Sequence, residues 1–380
     1  MRFALLRQRP GALGGAENTL LCLSRELIRA GHEVTIIAAQ PRPPVAREVL
    51  AGLNWHRVPV WPGKTGRILG FAVNARRLLH RSRFDIIFSL ERTLSQDVYR
   101  AGDGCHREWL RRRQPYDTTL GRLHLAGSPF HQTLLWLEKR LFQDPRLKLV
   151  IANSRQVESE IRRHYRVPPS KIRVIYNGVD RERFNRFRMS ELRPGAVGSQ
   201  KCDFQRSSIL FVGSGFRRKG LNFLIAAMAE RRLRQCQLLV VGPGRTAPYQ
   251  RLAQKLGIAG QVQFLGPQTR VENYYAVSRV LALPTIYDPC SNVVLEALAC
   301  GLPVVTTSAN GASEFIRTGE NGVVLNRPDD RAALAAALEE FVEQGMDPRV
   351  QESAEAAVAQ LSWTRTALQT LSALKDLSEF

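Results

Sequence analysis

Ile209-Leu210-Phe211-Val212-Gly213-Ser214-Gly215-Phe216-Arg217-Arg218-Lys219-Gly220 is the stretch on which the fold turns. Four apolar residues of strand length run into a glycine-rich loop, a helical pattern follows from Leu221 to Ala229, and a second strand pattern from Gln237 to Val241. The same order opens the chain: a strand at Phe3 to Leu6, the loop Gly11-Ala12-Leu13-Gly14-Gly15-Ala16-Glu17, a helix from Ala16 to Ala30 closed by Gly31, and a strand at Val34 to Ala38. Further short apolar runs read as strands at 85–89, 149–152, 173–176, 262–265, 280–283, 304–306 and 323–325, with an Ala-rich helix over 329–343. Asn177-Gly178 reads as a turn and 186–206, where periodicity dissolves, as a linker or exposed excursion. Strands alternating with helices predict parallel sheets, and two such openings predict two doubly wound α/β domains. Their ligands belong at the carboxyl ends of the strands, in a cleft between the halves.

At 380 residues, 44% hydrophobic and 23% charged, the chain can fill two medium cores and is not a disordered protein. No run of twenty apolar residues occurs, and one charge before the short run Phe3-Ala4-Leu5-Leu6 reads as a first strand rather than a secretory leader. The six cysteines form no C-x-x-C pair and no histidine stands at metal spacing, which argues against a zinc site or a disulfide scaffold and for a cytoplasmic protein. The charge is unusual: 55 basic against 34 acidic residues, net +21, with only eight of the cations lysine. Arginine forks suit phosphates and carboxylates, so nucleic acid, an anionic lipid surface or phosphorylated small molecules are the partners such a chain fits.

Three motifs narrow this. The first glycine loop is not G-x-G-x-x-G, which disfavours a nicotinamide dinucleotide, although a helix N-terminus behind adjacent glycines can receive an anion and can equally be a tight turn. The second lacks the G-K-[ST] ending of a nucleotide triphosphatase, yet sets Arg217, Arg218 and Lys219 beside a helix start, a combination that suits a departing diphosphate. Asp288 and Glu296 stand eight positions apart, one in a loop and one in the helix after it. Glu296 is surrounded by Val293, Val294, Leu295, Ala297 and Leu298, so its carboxylate needs a partner.

Gly14-Gly15-Ala16-Glu17, Arg218-Lys219-Gly220, Asp288 through Glu296 and Ala297-Leu298-Ala299-Cys300-Gly301-Leu302-Pro303-Val304 together resemble the retaining GT-B glycosyltransferases of family 4, as does Asn177-Gly178-Val179-Asp180 with Arg183-Phe184. Within that family the chain is most similar to lipopolysaccharide core glucosyltransferases, which add glucose to heptose, on the weaker hint of Asp97 through Asp103 and the basic stretch after it. The resemblance implies two facing Rossmann-like domains. Residues 1–176 with a C-terminal helix of about 360–380 would bind the acceptor, and 177–359 the nucleotide sugar. It implies that Gly14 and Gly15 approach the donor phosphate, that Arg218 and Lys219 hold the diphosphate with help from Arg183, and that Glu296 binds ribose and Asp288 the donor sugar. Asp103 would orient the acceptor or accept its proton. The family usually has Glu where this chain has Asp288, which bears on the choice of donor sugar. The reaction it implies moves a hexose, glucose from UDP-glucose in the first instance, onto a lipid-linked saccharide, with no metal and no cofactor beyond the donor.

Between Cys105 and Phe142, Arg107, Arg111, Arg112, Arg113, Arg122, Lys139 and Arg140 face only Glu108, Asp117 and Glu138, with Trp109, Tyr116, Phe130, Trp136 and Phe142 interleaved. Such a stretch can lie on the anionic inner face of the cytoplasmic membrane, or be ordinary helices with solvated arginines. Two other functions fit less well. A GT-B sugar-nucleotide epimerase would need no acceptor. A basic nucleic-acid-binding protein would carry a recognition signature, and none is present.

Overall fold

The first strand shows why both faces of the sheet must be covered. In β1 (Arg2–Leu6), Phe3 and Leu5 pack with Leu20, Leu23 and Leu27 of the helix Gly15–Arg29, whereas Ala4 and Leu6 point the other way, toward Phe71, Ala75 and Leu79 of the helix Gly63–Arg81. A strand apolar at four successive positions, as here from Phe3 to Leu6, is a strand buried on both sides. This computed structural model describes residues 1–10, 15–42, 52–187, 206–344 and 347–378. Gly14 and nearly all of the expected linker, 188–205, lie outside the described residues.

The chain divides into two units, Met1–Gly178 with Trp363–Phe380, and Val179–Ser362. In the first, β1 pairs with β2 (Glu33–Ala38) and β4 (Ile86–Ser89), and the sheet is completed by β3 (Leu53–Arg57), β5 (Val98–Ala101), β6 (Leu149–Ala152) and β7 (Ile172–Val174). The order is β3-β2-β1-β4-β5-β6-β7, and every pairing is parallel. The second unit holds β8 (Ser207–Val212), β9 (Cys236–Val241), β10 (Val262–Gly266), β11 (Val280–Leu283), β12 (Val304–Thr307) and β13 (Gly322–Leu325), parallel in the order β10-β9-β8-β11-β12-β13. These are the two Rossmann-like domains that the sequence pattern predicted. In each, winding reverses beside the first strand, between β1 and β4 and between β8 and β11.

The helix Trp363–Ser378 belongs to the first unit: Leu371 and Leu374 join Leu20, Leu23 and Leu27 in one core, and Thr366 donates to the Tyr176 carbonyl at 2.9 Å. Each buried leucine contributes about 1.5–3 kcal/mol to holding it there.

Two strands escape the sequence reading. β3, Leu-Asn-Trp-His-Arg, is an edge strand with mostly exposed side chains, and β5 carries Arg100 in its middle. Arg100 is buried and donates to the Asn177 side chain at 2.8 Å. That contact also corrects the Asn177-Gly178 turn: the pair is part of an irregular, unturned segment after β7, and buried Asn177 serves as an acceptor.

Candidate active site

In the second unit the site forms where the winding reverses, because the loops leaving β8 and β11 at their carboxyl ends diverge there. The loop after β8 is anchored by Phe216, buried edge-on against Phe211 and Tyr249 at centroid distances of 5.9 and 5.6 Å. It is stitched to the loop after β11 through the Arg218 carbonyl, which accepts from the Ile286 amide and the Thr285 hydroxyl, both at 2.9 Å. Gly220 then starts the helix Leu221–Met228 at φ +78°; a Cβ there would stand 1.8 Å from the Pro284 carbonyl oxygen. Only glycine lets the two loops approach this closely.

That stitching brings Arg218, Lys219 and Asp288 together. Lys219 Nζ lies 3.1 Å from Asp288 Oδ2 and 3.3 Å from Ser291 Oγ, and Arg218 donates to the same Oδ2 at 3.1 Å and to the Tyr287 carbonyl at 2.8 Å. Both cations converge on Oδ2, and no hydrogen bond within the described residues engages Oδ1. Burial pushes the Asp288 carboxyl up, but Lys219 and Arg218 outweigh it and hold it below the usual value. Burial draws the Lys219 ammonium down, against the pull of Asp288. The backbone of Asp288 is itself pinned, its N–H donating to Ala309 and its carbonyl accepting from Gly311, both at 2.9 Å. Asn310, fully buried, receives the Ser291 and Ala312 amides at 3.3 and 3.1 Å.

Glu296 sits on the helix Asn292–Ala299, half-buried, and the partner that its apolar neighbours demanded is Tyr275, whose hydroxyl donates at 3.1 Å. Burial raises its carboxyl to about 7, against the hydrogen bond from Tyr275 and the charges of Arg183 and Lys219. Arg183 is committed elsewhere. Its guanidinium grips Glu272 at 2.9 and 2.6 Å and the Thr269 carbonyl at 2.6 Å, and it reaches Glu296 only through space.

The first unit carries a second polar cluster at its own reversal point. Arg7, directly after β1, holds Glu17 at 2.8 Å and Glu91, after β4, at 3.1 Å. Asp103 lies exposed in the turn after β5. Burial draws the Arg7 guanidinium down, but the charges of Glu91, Glu17 and Asp103 outweigh it and raise it; burial, helped by Asp103, pushes the Glu91 carboxyl up against the charge of Arg7. Gly15 begins the first helix, where its carbonyl accepts from the Thr19 hydroxyl at 2.8 Å. Sequence reasoning missed Arg7 and Glu91, isolated charges beside strands, and Ser291 and Tyr275, whose partners are tens of positions away.

The basic aromatic stretch forms the helices His106–Arg113, Thr119–Ala126 and Pro129–Phe142. Here the structure corrects the charge count. Glu108, fully buried, receives Arg111, Arg112, Arg163 and His164 at 2.6–2.8 Å, and Arg113 is paired with Asp117 at 2.8 Å. Burial pushes Glu108 up, but the bonds from Arg111, His164 and Arg112 outweigh it and hold the carboxyl far below its usual range. Arg111, Arg112 and Arg113 are therefore structural ties. Glu138 likewise accepts from Arg92 at 3.1 Å, from the amides of His106 and Arg107 at 2.7 and 3.1 Å, and from the Tyr165 hydroxyl at 2.5 Å. The Arg92 guanidinium also holds the Gly104 carbonyl at 2.6 Å, fixing the turn that carries Asp103.

Comparison with known proteins agrees over most of the chain. Residues 13–183 match the family described as Glycosyltransferase Family 4, and residues 206–344 that described as Glycosyl transferases group 1. The lipopolysaccharide glucosyltransferase WaaG of Escherichia coli K12 is 26% identical over 341 residues, 87% of each chain. The crystal structure of WaaG superposes with a TM-score of 0.79 at 22% identity, covering 97% of this chain and 98% of that one. Anabaena HepE in complex with UDP-glucose superposes at 0.70 and 19% identity, over 99% and 100% of the two chains, so the fold is GT-B.

Proposed function

Because the chain is a glycosyltransferase, a family 4 domain followed by a group 1 domain, we propose that it transfers a hexose, glucose in the first instance, from a uridine-diphosphate sugar to a sugar of a lipid-linked acceptor such as the lipopolysaccharide core. The observation that carries this is the convergence of Lys219 and Arg218 on Asp288 at the carboxyl ends of β8 and β11. Fixed cations at that place neutralise a diphosphate as it departs, without reorganisation at the moment of reaction. Asp288 keeps Oδ1 for a sugar hydroxyl, and Glu296 receives the ribose hydroxyls. The names of the E. coli relative and of the UDP-glucose complex support the acceptor and donor classes.

The reaction runs on one face of the sugar. The bond from C1 to the β-phosphate oxygen breaks and its electron pair stays on the phosphate, while the acceptor oxygen bonds to C1 from the same side. The acceptor's proton passes to the departing phosphate oxygen, so the configuration is retained; Asp103 orients the acceptor hydroxyl. Lys219 and Arg218 carry the charge, and no metal is part of this mechanism. A thermal-shift panel of nucleotide sugars tests the donor, since a ligand that binds the native state raises apparent stability. UDP-glucose should give the largest shift, and NMR of the product should show an α-linkage. No shift with any uridine nucleotide, or an inverted product, would overturn the reading.

No helix among the described residues is long and apolar enough to cross a membrane. Docking on an anionic membrane surface is part of the proposal and rests on four of the seven cations counted between Cys105 and Phe142. Leu120, Leu123 and Trp136 are 80%, 66% and 43% exposed, and Arg107, Arg122, Lys139 and Arg140 near them make no ion pair among the described residues.

A further inference from the structure

Tyr275 occupies the single-turn helix Glu272–Ala276, its ring buried edge-on to Phe184 at 5.9 Å and its hydroxyl 3.1 Å from Glu296 Oε2. Three residues earlier on the same turn, Glu272 grips the Arg183 guanidinium. One turn of helix thus holds two of the side chains that sequence motifs assign to the donor. We infer that Tyr275 is a positioning residue for the nucleotide, its hydroxyl keeping the Glu296 carboxylate oriented for the ribose. This rests on the proposal that Glu296 receives the ribose hydroxyls.

The hydroxyl does more than aim the group. A carboxylate half-buried among Val294, Leu295, Ala297 and Leu298 is disfavoured in its charged form, and a hydrogen bond to that form offsets the cost. The other titratable or charged groups acting on Glu296 are Arg183 and Lys219, which favour the carboxylate, and Asp180, which opposes it. Cys300 and Tyr275 interact with it as well; burial pushes both far above their usual ranges, so both stay neutral. Tyr275 is therefore a donor throughout the accessible pH range, and the only neutral donor in this set hydrogen-bonded to the carboxylate.

Calorimetric titration of the full chain with UDP between pH 6 and 8.5 tests this in wild type, Tyr275→Phe, Glu296→Gln and the double variant. Glu296→Gln should weaken binding and leave only the pH response of the UDP phosphate, whose second ionisation falls near about 6. Tyr275→Phe keeps the ring and its contact with Phe184. Loss of the donor should move the titration of Glu296 up by about one unit. From a starting value of about 7, UDP affinity then falls about fivefold at pH 7 and less than about twofold at pH 8.5. In the Glu296→Gln background the Tyr275 change should have no further effect. An equal loss at every pH, a loss that persists in the double variant, or an unshifted pH response with Glu296→Gln impaired would overturn the role of Tyr275 alone. Wild-type affinity in Glu296→Gln would overturn the ribose reading beneath it.

Discussion

Replacing Lys219 with Met removes the one ammonium held against Asp288 and keeps most of its aliphatic stem. The Lys219 side chain is 9% exposed and that of Arg218 33%, so the two charges should not weigh equally. A buried charge aimed at the leaving diphosphate acts with little solvent screening, and its loss should cost about 3–4 kcal/mol of transition-state stabilisation. That is two to three orders of magnitude in kcat/KM. Arg218 is screened by water, and Arg218→Met should cost about 1–2 kcal/mol, roughly five- to thirtyfold. Asp288 keeps one cation at 3.1 Å in either variant, so both should fold. The assay is release of nucleoside diphosphate from the donor sugar under single-turnover conditions, with thermal melting as the control. Near-normal kcat/KM in Lys219→Met, or a larger loss in Arg218→Met, would refute this assignment of the charge.

Asp288 gives a pH signature: its folded value is depressed, so its contribution to stability is full above the ordinary carboxylate value of about 4 and is lost as pH falls through the folded value. The stability gap between wild type and Lys219→Met should therefore be constant near neutrality and shrink in acid; a gap that widens in acid would reverse the sign. Glu138→Gln strands buried Arg92 without its counter-charge, costing about 3–5 kcal/mol, and the unfolding midpoint should drop by about 10 °C. Gly220→Ala should fail to fold the second unit, read as loss of the cooperative melt, because its Cβ meets backbone and not a movable side chain. Replacing Arg107, Arg122, Lys139 and Arg140 with Gln should release the protein from phosphatidylglycerol vesicles in sedimentation, each cation being worth about 1 kcal/mol there. Equal binding to neutral vesicles would remove the membrane from the proposal.

The sequence made the fold legible where strands are buried on both faces, because Ile209 to Val212 or Val280 to Leu283 can be little else. It was silent where a strand is an edge, as at Leu53–Arg57, or hides a paired cation, as Arg100 does. The donor loop was legible as residue types at a spacing, but not the fact that Asp288 holds Lys219 and Arg218 at rest. Counting charges failed most clearly at Glu108. One acid among many bases reads as a solvated excess, yet three arginines and a histidine are spent on it in the folded chain. Pairing across 21 positions, as between Tyr275 and Glu296, leaves no local pattern to read.

The convergence on Glu138 couples the local opening of several segments. Arg92 before the Asp103 turn, the first two amides of the helix His106–Arg113, and Tyr165 at the end of another helix all meet one carboxylate. None of these segments can fray away singly without stranding the others' buried donors, so they should open together or not at all. Native-state hydrogen exchange should then report one shared opening free energy for the amides of His106 and Arg107 and for the core of the helix Pro129–Phe142. The turn that carries Asp103 would inherit its rigidity from a residue 35 positions downstream.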